Sequence, residues 1–255
     1  MHYSLNYISK EPDSNMGLLK VLVWAINKSK PLMEAACAPL LKTANMHHIP
    51  AELFGIGHEF IEHKQRIWIL RDYLKTIPEN TIVLCMDGSD TLFNNTASVL
   101  LEKFRKKKTN ILISAEKAYS YQYNQFIDNF NQIASDYRYV NAGTFMGYAG
   151  ALLQMLNEII LINQDYPSAN DQGLLGIWVS EHIDNPKLVK LDTSCAIFWV
   201  TTGDWLTLKK VASSKKIISN PFTNTIPVII HSVGNGDPQH RACYDIAYKN
   251  IMTWE

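Results

Sequence analysis

The stretch Thr81–Phe93, TIVLCMDGSDTLF, divides into an apolar half and a polar half. Ile82-Val83-Leu84-Cys85-Met86 has the length and β-branched content of a buried strand, and Asp87-Gly88-Ser89-Asp90 ends it with two carboxylates around two small residues. In an open α/β sheet, ligands gather beyond the carboxyl ends of the strands, and a Gly-Ser turn lets both acids converge on one point. Two oxygen ligands there suit Mg²⁺ or Mn²⁺, which keep positions for water and a substrate phosphate. An isolated D-x-x-D is more often an Asx turn with a helix N-cap. The metal reading therefore depends on what the rest of the chain brings to this point.

Upstream, Lys20–Ile26 (KVLVWAI) reads as the first strand, and Pro31 opens a helix running to about Asn45. Ala51–Phe54 is a second strand closed by Gly55 and Gly57. Ile67, Leu70, Tyr73, Leu74 and Ile77 then recur at helical spacing from Glu62 to about Thr76, and Pro78 ends that helix. The order into the central stretch is β-α-β-α-β. Downstream, Thr96 can cap a helix burying Ala97, Leu100, Leu101 and Phe104, with Arg105–Lys108 as its solvated, dipole-compensating end. Asn110–Ala115 is a fourth strand, stopping at Glu116. Tyr119, Tyr121, Tyr123, Tyr137 and Tyr139 follow among Asn and Gln, a composition suited to stacking on sugar-like surfaces, although tyrosines covering a sheet edge are the commoner case. Tyr139–Tyr148 is a strand interrupted by glycines, and Gly150–Gln164 an amphipathic helix. Ser168 can cap another helix with Asn170-Asp171-Gln172 in its first turn. Short apolar runs at Lys187–Leu191 and Ala196–Val200 precede Thr225–His231, a strand delivering His231 into Gly234-Asn235-Gly236. No repeat or linker appears, so one α/β domain over residues 1–255, with an irregular segment at 1–19, is the simplest division.

Composition narrows the function. Hydrophobic residues make up 47% and charged residues 19%, as in globular proteins, and Lys plus Arg equals Asp plus Glu at 24 each. That balance argues against nucleic acid as the main partner. No membrane span or signal peptide is legible, which makes the cytoplasm the default compartment. Cys37, Cys85, Cys195 and Cys243 are widely spaced and read as reduced core residues. The glycosylation triplets at Asn27 and Asn94 read as chance matches, since a glycan on Asn94 would crowd the acidic turn.

Six separated segments carry a resemblance: LCMDGSDTLF (Leu84–Phe93), ISAE (Ile113–Glu116), YVNAGTFMGYA (Tyr139–Ala149), NDQGLL (Asn170–Leu175), LDTSCAIFW (Leu191–Trp199) and IPVIIHSVGNG (Ile226–Gly236). In this order they resemble the glycosyltransferase domain of the procollagen lysyl hydroxylases and, more distantly, the procollagen galactosyltransferases, over roughly residues 20–240. The resemblance implies a GT-A fold, a Rossmann-like central mixed sheet flanked by helices. It also implies a nucleotide-sugar donor, UDP-glucose or UDP-galactose, Mn²⁺ or Mg²⁺, and an acceptor hydroxyl on a protein or glycan. Carried over by position, Asp87, Asp90 and His231 become the metal ligands and Asp171 the residue that holds sugar hydroxyls or acts as base. Arg66, Ser89, Asn141, Gly143, Asn170, Gly234 and Gly236 become donor-binding positions.

The departures are specific. Ser89 stands where the family carries an aromatic residue beside the uracil, Ile61-Glu62-His63-Lys64 replaces a glycine run, and Asn170 replaces an acid. Ser232 and Val233 alter the loop after His231. Nothing in these residues resembles the hydroxylase portion, so lysine hydroxylation is not expected. Two rivals follow: a nucleotide-sugar-binding domain without turnover, and an Fe(II)/2-oxoglutarate oxygenase built on His182, Asp184 and His231, with Arg241 as anchor. The second needs a β jelly roll, against the β-α-β order.

Overall fold

Strand β1 (Leu19–Asn27) divides its side chains between two cores. Leu22, Trp24 and Ile26 enter one, and Val21, Val23 and Ala25 the other. A strand covered on both faces has no use for alternation, which is why LKVLVWAI reads as one apolar run. The computed structural model describes residues 19–120, 124–214, 217–234 and 237–253. The irregular segment expected at 1–19 thus lies almost wholly outside the described residues, as do Tyr121 and Tyr123.

β1 is second in a six-stranded mixed sheet whose order is β2-β1-β3-β6-β5-β7. Its other members are β2 (Ala51–Ile56), β3 (Ile82–Asp87), β5 (Ile111–Glu116), β6 (Tyr139–Tyr148) and β7 (Val189–Leu191). β1 runs parallel to β2 and β3, β5 runs parallel to β7, and β6 runs antiparallel to both its neighbours. Helices α3 (Gln65–Leu74), α6 (Ala149–Asp165) and α7 (Asp171–His182) pack on the Trp24 face, while α2 (Ala38–Met46) and α4 (Ala97–Lys107) pack on the Val23 face.

The helix expected over Pro31–Asn45 is two helices, α1 (Lys30–Ala36) and α2, meeting at Cys37. Pro39 is the cause, because it has no N–H to offer the carbonyl of Ala35. The break puts Cys37 Sγ under the acidic turn, where a Cβ on Gly88 would collide with it. All four cysteines are free and buried.

A second, three-stranded sheet lies beside the first. β4 (Thr91–Phe93) follows the acidic turn and pairs antiparallel with β9 (Ile229–His231), which pairs parallel with β8 (Phe198–Val200). Three residues are too short for periodicity to register. The strand expected at Thr225–His231 thus begins only at Ile229. Helices α8 (Trp205–Ser214) and α9 (Pro238–Met252) pack on each other beside this sheet, and the Asp237 carboxylate caps α9 by accepting from Gln239 N and His240 N. The short helix α5 (Ile127–Asn131) meets the start of β6, where the Tyr139 hydroxyl donates to Asn131 Oδ1. No described helix is long and apolar enough to cross a membrane.

Candidate active site

β3 ends at Asp87, registered beside Trp24 of β1, and the chain turns at once through Gly88 and Ser89 to Asp90. The Thr91 hydroxyl donates to the Asp87 carbonyl and closes that turn. The pairing of β4 with β9 sets Thr91 opposite His231, and Ser232 N donates to the Asp90 carbonyl at 2.8 Å. The second sheet is therefore what carries His231 to the acids. Its Nε2 lies 3.5 Å from Asp90 Oδ1 and 3.6 Å from Asp87 Oδ2, distances too long for hydrogen bonds.

Donor atoms of Asp87, Asp90 and His231 lie within 4.8 Å of one another, and theirs is the one such His/Cys/Asp/Glu group among the described residues. His231 is 2% exposed, yet neither ring nitrogen has a hydrogen-bond partner, nor does the buried Asp90 Oδ1. Buried polar atoms are seldom left unmatched, because the desolvation cost is then uncompensated. Two carboxylates and an imidazole around one point meet the donor preferences of Mn²⁺ or Mg²⁺, so the residues fit such an ion. Burial disfavours an imidazolium at His231, but the Asp90 and Asp87 carboxylates outweigh it and hold its pKa above the usual value. Burial likewise raises the Asp87 carboxyl, against the Arg66 guanidinium.

Gly143 on β6 faces this cluster. A Cβ there would collide with His231 Cε1 and lie 2.7 Å from Asp87 Oδ2, so only glycine lets the two meet. Asn141 Oδ1 accepts from Gly143 N at 3.0 Å and fixes that turn of backbone. Behind them Glu116, 2% exposed, accepts from Gln172 Nε2 at 3.0 Å and from the Thr202 hydroxyl at 2.6 Å, while Gln172 Oε1 accepts from Ala142 N at 3.2 Å. Burial pushes the Glu116 carboxyl up despite these donors and Asn141. In the sequence Glu116 and Gln172 stand out only as a strand end and a helix first turn. Their signal was present in ISAE and NDQ, but sequence gives no hint that the two meet.

Arg66, a donor-binding position by the resemblance, is drawn to the acids rather than out into solvent. Its Nη1 lies 2.8 Å from Asp87 Oδ1 and 3.6 Å from Asp171 Oδ2, and the guanidinium sits 5.5 Å over the Trp24 ring. Asp171 opens α7, and Asn170, not Ser168, is the cap, accepting from Gly173 N at 2.7 Å. Beside the acids is a cleft of ≈ 260 Å³ walled by Trp24, Met33, Phe60, His63 and Ser89. Phe60 and His63 meet edge to face with ring centroids 5.2 Å apart. Gly234 lies beyond β9 at φ +99°, its Cα face against His240, and is not in that wall. Gly236 lies outside the described residues.

The oxygenase triad does not assemble. His182 ends α7, about 16 Å along the helix from Asp171, and its Nδ1 pairs with the Trp178 carbonyl while the ring stacks on that indole. Tyr137 is buried, with its hydroxyl on Asp204, and Tyr139 bonds Asn131, so these two cover structure rather than face a ligand. Asn94 is 1% exposed and donates to the Ile218 and Pro227 carbonyls, which leaves no room for a glycan.

A profile of the PLOD GT domain matches residues 21–248. The chain belongs to the PLOD glycosyltransferase-domain family. Among curated relatives of this PLOD type, the procollagen-lysine,2-oxoglutarate 5-dioxygenase of Drosophila melanogaster is 27% identical over 211 residues, covering 77% of this chain and 28% of the relative. Procollagen-lysine,2-oxoglutarate 5-dioxygenase 2 of Mus musculus is 27% identical over 190 residues, 71% of this chain and 24% of the relative. The chain thus spans about a quarter of the length of those relatives. Among solved structures, a glycosyltransferase involved in the glycosylation of the major capsid of PBCV-1 superposes with a TM-score of 0.54 at 10% identity, covering 89% of this chain and 98% of that one. The fold is the GT-A fold that the PLOD resemblance implied.

Proposed function

We propose that this domain is a metal-dependent hexosyltransferase that moves a sugar from a nucleotide sugar, UDP-glucose or UDP-galactose, to an acceptor hydroxyl. The observation that carries the reading is the meeting of Asp87, Asp90 and His231 at the mouth of the sheet, with the imidazole buried and unmatched. Mn²⁺ or Mg²⁺ held there supplies charge neutralisation for a departing diphosphate. Arg66, whose planar fork suits phosphate oxygens, stands beside the acids to receive that diphosphate. The nucleobase would lie in the cleft over Ser89, with the ring pair Phe60 and His63 supplying flat surface in place of an aromatic at residue 89. Asn141, Gly143 and Asn170 border the sugar position, and Asp171 holds sugar hydroxyls or takes the acceptor proton. Gly234, just past the end of β9, stays a donor-contact position on the strength of the resemblance alone. The acceptor class, protein or glycan, is open in chemistry but requires a free hydroxyl.

The test is UDP release from UDP-glucose and UDP-galactose with and without Mn²⁺. Wild type should release UDP only with the metal, and Asp87→Ala and Asp90→Ala should lose that release while circular dichroism still reports a folded chain. Metal-independent release, or unchanged release in either variant, would reject the assignment. Tight binding of UDP-sugar without any release would favour the binding-domain alternative.

A further inference from the structure

Arg66 is an awkward neighbour for a cation site. It shares the carboxylate of Asp87, taking Oδ1 at 2.8 Å while Oδ2 turns toward His231. The wall behind it is apolar, made by Leu70, Phe145, Met155, Leu156 and Leu175. Among the described residues its ion-pair partners are Asp87 and Asp171 alone, and its Nε is buried without a partner. The side chain is 17% exposed and its guanidinium sits 5.5 Å over the Trp24 ring, so it cannot retreat freely into water.

We infer that Arg66 makes the cation site depend on the nucleotide: it weakens the acids' hold on a free divalent ion, and a diphosphate bound between ion and guanidinium restores it. The inference rests on the sugar-transfer reading of this site. A divalent ion and a guanidinium on one carboxylate repel each other across a few ångströms in a poorly solvated recess, where charges interact strongly. A diphosphate is acceptor-only and multiply charged. Placed between the two cations it turns their repulsion into two attractions, and the guanidinium offers it unused N–H donors. By linkage, the nucleotide must then be held more tightly by the same factor when the ion is present.

The measurement is Mn²⁺ binding by the free-ion electron paramagnetic resonance signal, with and without UDP, corrected for the ion–UDP complex in solution. In wild type, UDP should tighten Mn²⁺ binding by about tenfold or more, within the range of ordinary coupling between sites. Arg66→Gln should bind Mn²⁺ alone more tightly than wild type and lose most of the enhancement by UDP. Arg66→Lys, which keeps the charge but not the fork, should match wild type for Mn²⁺ alone and retain part of the enhancement. As a second readout, Mg²⁺ with UDP should change the emission of Trp24, which lies under Arg66, and the change should vanish in Trp24→Phe and in Arg66→Gln. Equal or weaker Mn²⁺ binding by Arg66→Gln, or Arg66→Lys behaving as Arg66→Gln, overturns the inference. Should the glutamine variant not fold, absence of UDP enhancement in wild type overturns it unaided. Additive binding of both ligands removes this inference alone, whereas no Mn²⁺ binding under any condition removes the metal reading with it.

Discussion

Glu116 is a carboxylic acid at the end of β5 with almost no water around it, and burial raises its pKa above the usual glutamate value. The folded state therefore prefers the protonated acid. The stability this group contributes is full below about pH 4.5, the ordinary glutamate value, and is lost as pH rises through its raised value. Glu116→Gln mimics the protonated form, donating to Thr202 and accepting from Gln172. Melting curves from pH 4.5 to 8 should show wild type losing stability relative to Glu116→Gln as pH rises. Parallel curves would contradict the raised pKa. Turnover should also fall in the variant at pH above that raised value, because the carboxylate charge that Glu116 then turns on His231 is missing. The paired acids of the turn were legible from one glance at TIVLCMDGSDTLF. The environment of Glu116 was not, because a lone glutamate after an apolar strand looks the same whether it meets solvent or a glutamine fifty-six residues later.

At the scale of elements, α7 is the piece that aims chemistry at the site, and its start is set by Asn170. The cap bond to Gly173 N fixes the first turn, so Asp171 and Gln172 project toward Arg66 and Glu116. Asn170→Ala should cost about 1 kcal/mol in urea unfolding, the usual worth of such a cap, and reduce turnover as the first turn frays. Asn170→Ser, which caps nearly as well, should recover both. Recovery of stability without recovery of turnover would show that the Asn170 amide touches the donor itself. Elements with a period or a cap signal were readable: β1, β3, β5, β6, α4 and α6 fall where their apolar patterns place them. Those whose existence depends on distant partners were not. β4 is a strand only because β9 lies against it, and the division between α1 and α2 depends on the interior position of Pro39, which a pattern of apolar residues does not weigh.

For the whole molecule, the question is how the small sheet is held to the large one. Asp192, with no exposed surface, does much of it. Its Oδ2 accepts from Ile197 N at 2.7 Å and Phe198 N at 2.9 Å at the start of β8, and its Oδ1 meets Lys107 Nζ at 2.6 Å from the end of α4. Lys107 belongs to the basic run read as a solvated helix end, so one of its charges is structural instead. Removing a partner from a buried pair leaves the other charge uncompensated, and Asp192→Ala should cost about 3–5 kcal/mol of stability. Urea denaturation followed by tryptophan emission would check it, and a loss under 1 kcal/mol would show that α4 and β8 are joined by packing alone. β8 lies beside β9, which places Val200 against His231, so Mn²⁺-induced stabilisation should shrink in the same variant.

The third member of the cluster, His231, comes from β9, far along the chain from the acidic turn it meets. During synthesis, which exposes N-terminal segments first, a growing chain therefore displays two neighbouring acids on a finished strand long before any imidazole can join them. Until then the turn is an ordinary carboxylate pair with little claim on scarce Mn²⁺. On the proposed metal reading, the ion can bind only after the small sheet has closed, and a ribosome-stalled fragment ending before β9 should show no Mn²⁺ binding.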